Sequence, residues 1–318
     1  MSSPSTPPPS DPASRIADSR SGPISSQARP GVEPAEIQSG NELPLSLTSL
    51  VGREEDLASV TALLRDVRVR LLTLTGPGGV GKTRLAVQAA SLLRSHFADG
   101  IVIVSLAATP GPDLVLSVMA QALGVPEPAG SALDHEVLAR RLRDRQMLLV
   151  LDNLEHVLAS AVDFVRLLES CPGVTMLTTS RVRLGVAGER RYPVAPLALP
   201  ATEGLAREMA FAAISAAPAV QLLVDRARAI DPAFEMTSQN ASTLAAISAR
   251  LDGLPLAIEL AAVRLELLSP EELLVRLDHA LPLLTAGPAS RPERHRTMRR
   301  AIAWSYDLLA PDQQALLR

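Results

Sequence analysis

The run Gly76-Pro77-Gly78-Gly79-Val80-Gly81-Lys82-Thr83 matches the phosphate-binding pattern G-x-x-x-x-G-K-[ST] in full. Glycines at these positions let the backbone approach a phosphate chain closely, and successive amides together with the positive end of a following helix converge on it. Lys82 would then reach the β- and γ-phosphates, and the Thr83 hydroxyl would complete a magnesium shell. The alternative is a glycine-rich turn that binds nothing. Composition weighs against that alternative, because Lys82 is the single lysine beside 30 arginines. Arginine replaces lysine freely at solvated positions, but a planar guanidinium does not do the work of a compact ammonium with three donors.

A second group of candidates lies about 70 residues further on. Met147-Leu148-Leu149-Val150-Leu151-Asp152 reads as an apolar strand ending in a carboxylate, and Asp152 is placed to hold magnesium, directly or through water. In isolation an Asp at this point is better read as a helix cap; beside a complete phosphate loop the metal role is the stronger reading. The next residue is Asn153, where hydrolytic proteins of this architecture place a second acid, and an amide does not usefully accept a proton. Glu155 either substitutes from the following turn or is a solvated carboxylate near a helix start. Slow hydrolysis is the expectation. His156 is one of five scattered histidines, so no metal site is assigned to it. Thr178-Thr179-Ser180-Arg181 ends another strand pattern, from which Arg181 could point at the γ-phosphate while the hydroxyls address the attacking water. The other reading of Arg181 is a surface arginine on a loop.

These residues need a frame that brings strand ends together. Strand-like runs occur at Arg70 to Thr75, Gly100 to Leu106, Met147 to Asp152, Val174 to Thr179 and Arg191 to Val194. Helical patterns separate them at Glu54 to Val67, Lys82 to Ser95, Leu114 to Leu123, Ala132 to Arg145 and Val157 to Glu169. This alternation predicts an α/β domain over residues 45–200, with a parallel sheet covered on both faces. Beyond Pro200 only helical periodicity remains, at Val220 to Ile230, Ser238 to Leu251, Pro255 to Leu267 and Pro270 to Leu281, which gives a helical domain over 201–290. Gly253 suits a helix end with positive φ and Pro255 a helix start, so the loop between them should be tight. Residues 1–44 carry nine prolines and few apolar positions, the composition of a disordered tail. Residues 291–318 read as a linker followed by the start of a third domain.

Composition excludes several classes. The 318 residues carry 31 basic and 34 acidic side chains, so a chain that coats nucleic acid along its whole surface is not expected. No apolar run approaches the roughly 18 residues of a membrane helix, and Met1-Ser2-Ser3-Pro4 leads into no apolar stretch after a basic start, so a secretory signal is not expected. The single cysteine, Cys171, fits a reducing cytoplasm. Five arginines lie between Arg291 and Arg300, but no aromatic residue interrupts them, and this stretch reads as a solvated linker.

Five motifs in order, Leu50-Val51-Gly52-Arg53-Glu54, the phosphate loop, Leu149-Val150-Leu151-Asp152-Asn153, Thr179-Ser180-Arg181 and Gly253-Leu254-Pro255-Leu256-Ala257, resemble the signal-transducing STAND ATPases. The likeness is greatest to the NB-ARC-like module of large bacterial LuxR-type and antibiotic-regulatory transcriptional regulators. It implies a P-loop NTPase sheet ordered 5-1-4-3-2, a helical lid and a winged helix, whose start Thr297 to Leu309 resembles. It also implies that nucleotide is held by Val51, Gly52, Arg53, Gly76, Pro77, Gly78, Gly79, Val80, Gly81, Lys82, Thr83, Arg84 and Pro255. Among these, Val51 and Arg53 would border the adenine and Pro255 would close over the nucleotide. Lys82, Asp152 and Arg181 are the candidate catalytic residues, and Thr83 and Asp152 the candidate Mg2+ ligands. The function so implied is an ATP/ADP switch, resting with ADP, active with ATP and Mg2+, and capable of self-association in the ATP state. A turnover ATPase and an inert truncated scaffold are the rivals. The winged helix is expected to be incomplete, so direct DNA binding by this chain is not expected.

Overall fold

A computed structural model describes residues 49–126 and 135–277. The expected tail, the linker with the winged-helix start, the basic stretch Arg291 to Arg300 and the end of the last helical pattern lie outside these residues. So does the beginning of the Ala132 to Arg145 pattern.

Five strands, β1 (Leu71–Thr75), β2 (Ile101–Ser105), β3 (Met147–Asp152), β4 (Val174–Ser180) and β5 (Glu189–Pro193), form one sheet in the order β2-β3-β4-β1-β5. Every pairing is parallel. Read from the other edge this is 5-1-4-3-2, the order the resemblance implies, and the architecture is the α/β P-loop NTPase fold. All of β3 is buried, whereas β5 is an exposed edge ending at Pro193, which has no amide hydrogen for a further ladder bond.

Residue parity divides the strands between two cores, as alternating side-chain direction requires. Met147, Leu149 and Leu151 face one core; Leu148 and Val150 face the other. The first core is covered by helices α3 (Val115–Ala122), α4 (His135–Leu142) and α5 (Ala161–Ser170). The second is covered by α1 (Glu54–Arg65) and α2 (Lys82–Leu92), the helix leaving the phosphate loop. Helix α1 stops short of its expected end at Val67, which is 86% exposed, because Asp66 turns extended and its carboxylate accepts the Arg68 amide. Helix α5 starts at Ala161 rather than Val157, after two short 3-10 turns at Leu154–His156 and Leu158–Ser160.

The helical region comprises α6 (Arg207–Ala216), α7 (Pro218–Ile230), α8 (Ala241–Arg250), α9 (Pro255–Ala262) and α10 (Pro270–Arg276), packed around their own apolar core. Helix α6 has no counterpart in the sequence reading: it is alanine-rich, and Ile214 alone among its residues is buried, so its apolar periodicity is weak. Gly253 has φ +62 and Pro255 is the first residue of α9, as their types predict. The tight α8–α9 loop meets the segment that follows β5, since Leu197 N–H donates to Gly253 O at 2.9 Å. A Cβ on Gly253 would lie 2.3 Å from Leu197 O, so no larger residue fits. Among the described residues, no single helix is long and apolar enough to cross a membrane.

Candidate functional site

The loop after β1 runs from Gly76 to Gly81 and hands the chain to α2 at Lys82. It is pinned from below and from the side. Val80 is fully buried in the α1/α2 core, and its carbonyl accepts a hydrogen bond of 3.0 Å from Arg53. Arg53, 6% exposed, also donates to Ala195 O at 2.7 Å and pairs with Asp56 at 2.7 Å. Tyr192 Oη donates to the other Asp56 oxygen at 2.6 Å. The guanidinium expected beside an adenine is therefore engaged in anchoring the phosphate loop to α1 and to the segment after β5. Val51 packs against the helical core, and Gly52 abuts Pro218 at the start of α7.

Lys82 lies across the loop, its Nζ donating to Gly76 O at 2.9 Å and to Pro77 O at 3.0 Å. Phosphate oxygens are stronger acceptors for an ammonium than these carbonyls. Burial pushes the Lys82 pKa below its ordinary value; Glu155 draws it back up, Arg181 lowers it and Asp152 raises it. Four charges thus converge at the carboxyl ends of β1, β3 and β4, the edge at which open α/β sheets bind ligands.

Asp152 is 5% exposed, and one of its oxygens accepts from two hydroxyls, Thr83 at 2.6 Å and Thr179 at 2.5 Å. Thr179 in turn accepts the Asn153 amide at 3.0 Å. The Thr179 hydroxyl at the end of β4 therefore orients Asp152, whereas the Thr178 hydroxyl turns to Thr73 of β1. A threonine hydroxyl and a buried carboxylate in contact form an all-oxygen donor set, which fits magnesium, an ion held by one or two protein oxygens, phosphates and water. Among the described residues there is no cluster of three or more His, Cys, Asp and Glu able to hold a metal alone.

Arg181 follows β4 and pairs through Nε with Glu155 Oε1 at 3.1 Å, the side chains 20% and 9% exposed. The structure thus brings Arg181, Glu155, Asp152 and Lys82 together, and Glu155 is not a solvated carboxylate. His156 faces the segment after β2, with Nε2 3.1 Å from Thr109 O.

The helical region completes the loop's surroundings. Leu256 N–H, in the first turn of α9, donates to Gly79 O at 3.1 Å, and a Cβ on Gly79 would lie 3.0 Å from the Leu256 Cβ. Pro255, the residue expected over the nucleotide, immediately precedes this contact. Behind it, Glu259 Oε1 pairs with Arg84 of α2 and with Arg226 of α7, each at 3.1 Å. Both arginines also donate to Ser49 O, at 2.6 and 3.0 Å. Arg84 was expected as a nucleotide contact; its guanidinium ties α2 to the helical region. Glu259 and Arg226 were missed, although a lone carboxylate within Leu254-Pro255-Leu256-Ala257-Ile258-Glu259-Leu260-Ala261-Ala262 is itself a signal, because a buried charge needs a partner.

Comparison with known proteins bears on the fold and the family. A family model described as an AAA domain matches residues 66–190. A Mycobacterium tuberculosis (strain H37Rv) protein named Uncharacterized protein Rv0894 is 40% identical over 293 residues, covering 91% of this chain and 69% of its own. A second protein of that organism, Putative HTH-type transcriptional regulator Rv0890c, is 41% identical over 251 residues, which are 78% of this chain and 26% of the regulator. The match therefore spans about a quarter of that regulator. Among solved structures, the Walker-type ATPase paby2304 of Pyrococcus abyssi superposes with a TM-score of 0.50 at 15% identity, covering 74% of this chain and 73% of that one. This likeness speaks to the fold alone.

Proposed function

The chain belongs to the P-loop NTPase family that includes Mycobacterium tuberculosis Rv0894, and from that membership we propose that it is the ATP/ADP-operated switch module of a STAND-type, NB-ARC-like transcriptional regulator. ADP holds the resting form, ATP with Mg2+ the active form, and hydrolysis is slow. The observation that carries this reading is the Leu256 amide on Gly79 O: one glycine-rich loop serves as candidate phosphate cradle and as seat for the first turn of α9. A ligand that reshapes that loop acts directly on the helical region.

The residues divide the work. Backbone amides of Gly76 to Thr83 and the Lys82 ammonium bind the phosphates. Thr83 and Asp152 hold Mg2+, which neutralises phosphate charge when bound. Val51, Gly52 and Pro255 border the nucleoside, Arg53 and Arg84 act through the loop and α2, and Arg181 addresses the terminal phosphate. Driving a two-state equilibrium from 1:99 to 99:1 takes about 5.5 kcal/mol of differential binding. Charged hydrogen bonds contribute roughly 1.5–3 kcal/mol each, so two or three γ-phosphate contacts supply it. Self-association in the ATP state and output through DNA belong to this proposal, the latter supported by the relation to an HTH-type regulator.

Titration of fluorescent ADP and ATP against wild type and Lys82→Ala tests the reading. Wild type is expected to bind both, and Lys82→Ala to lose at least about tenfold, equivalent to about 1.4 kcal/mol. Equal binding of both nucleotides by the two proteins would remove the proposal.

A further inference from the structure

The strand that ends at Asp152 is followed by a residue unable to act as a base, and the backbone shows where the missing acid has gone. Asn153 has φ +68, a left-handed conformation that Asn tolerates better than most residues. Its amide is fixed to Thr179 Oγ1, and Leu154, fully buried, anchors a single 3-10 turn over Leu154–His156. That turn carries Glu155 back toward the ends of β3 and β4. There Arg181 grips Oε1 at 3.1 Å, while Oε2 is buried and has no hydrogen-bond partner among the described residues. Leaving a buried acceptor unsatisfied costs about 1–3 kcal/mol, and a carboxylate held by one oxygen with the other free is the arrangement a proton acceptor requires. The Glu155 charge also acts on Lys82, opposing the lowering of its pKa by burial, so the carboxylate lies within electrostatic reach of the lysine expected at the phosphates.

We propose that Glu155 is the catalytic carboxylate of this module, with Oε2 taking the proton of the attacking water and Arg181 positioning it through Oε1. This rests on the nucleotide-switch reading and adds the hydrolytic residue to it. In the step, the water oxygen forms a bond to the γ-phosphorus as the bond between that phosphorus and the β,γ-bridging oxygen breaks. The electron pair leaves with ADP. The water proton passes to Glu155 Oε2 and on to solvent as inorganic phosphate departs. The acid that the residue after Asp152 lacks is thus supplied two positions later, by a turn that only an αL-tolerant residue at 153 allows.

The test uses Glu155→Gln, which keeps an acceptor for Arg181 and removes the base. Stoichiometric protein is mixed with Mg2+ and ATP, quenched over time, and the bound nucleotide separated by chromatography; affinity is read independently with fluorescent ATP, and folding by thermal melting. Wild type is expected to convert bound ATP to ADP in a slow single turnover. Glu155→Gln should bind ATP within about threefold of wild type, melt no lower, and retain the triphosphate, with a rate at least ~100-fold lower, in the range general bases contribute. A variant that binds and hydrolyses like wild type overturns the assignment and leaves the switch standing, as does a wild type that binds ATP without ever hydrolysing it. A variant whose affinity and melting temperature fall together with its rate also overturns it, since Glu155 would then be structural. Absence of any nucleotide binding by wild type would instead remove the switch reading itself.

Discussion

Two glutamates whose side chains are largely shielded from solvent, Glu259 and Glu155, are held differently. Glu259, in α9, has two guanidinium groups on a single oxygen, and those same guanidiniums share the Ser49 carbonyl. Glu155, after β3, has one guanidinium on one oxygen and, among the described residues, no partner on the other. Exposure does not separate them: the side chains are 10% and 9% accessible. The difference lies in saturation. A buried carboxylate with its charge doubly compensated is a fastening, because every change of state costs it partners. One with a spare acceptor can take up a proton or a water without breaking what holds it.

The comparison can be broken from either side. The largest effect on folding is expected at the fastening: Glu259→Ala leaves Arg84 and Arg226 facing one another, and breaking a buried pair in this way costs about 3–5 kcal/mol. Denaturant unfolding would measure it, and a loss below ~1 kcal/mol would mean that the cluster is no more than a solvent-screened surface network. Glu155→Gln should show the opposite profile, with the rate lost and stability kept. Next comes the contact that joins the two regions. Gly79→Ala places a Cβ 3.0 Å from the Leu256 Cβ at φ +78, and the left-handed backbone alone costs roughly 1–2 kcal/mol. Hydrogen exchange at the Leu256 amide should accelerate in this variant, and unchanged protection would show that α9 does not depend on the loop.

The smallest effect is expected at Tyr192, whose pKa is raised by burial and by its hydrogen bond to Asp56. A folded pKa above the unfolded one, about 10, contributes stability that is complete below that pH and is lost as pH rises through the folded value. Wild type should therefore lose stability above about pH 10 more steeply than Tyr192→Phe. At neutral pH the variant should lose about 0.5–1.5 kcal/mol, a hydrogen bond to a carboxylate weakened because both partners are partly exposed and screened by solvent. Parallel curves for the two proteins in alkali would show that the Tyr192–Asp56 bond does not act on the Arg53 anchor.

Much of this protein was legible in its residues. The phosphate loop, the carboxylate closing an apolar strand, and the Gly253 and Pro255 junction are local patterns, in which backbone conformation and chemistry are set by neighbours a few positions apart. Element ends were less legible: Val67 looked periodic but lies past a turn made by Asp66, and α6 carries too little apolar periodicity to register. The fates of Arg53 and Arg84 could not be read at all. Each matched a nucleotide motif, and each proved to be engaged with protein, Arg53 with the carbonyl of Ala195, 142 positions away, and Arg84 with Glu259, 175 positions away. Sequence by itself determined which chemistry the chain is equipped for, because that depends on residue type and short spacing. Tertiary structure alone decided which charges are saturated and which stay free, because strand order and the docking of α9 choose the partner of every buried charge, and desolvation makes that choice energetically large.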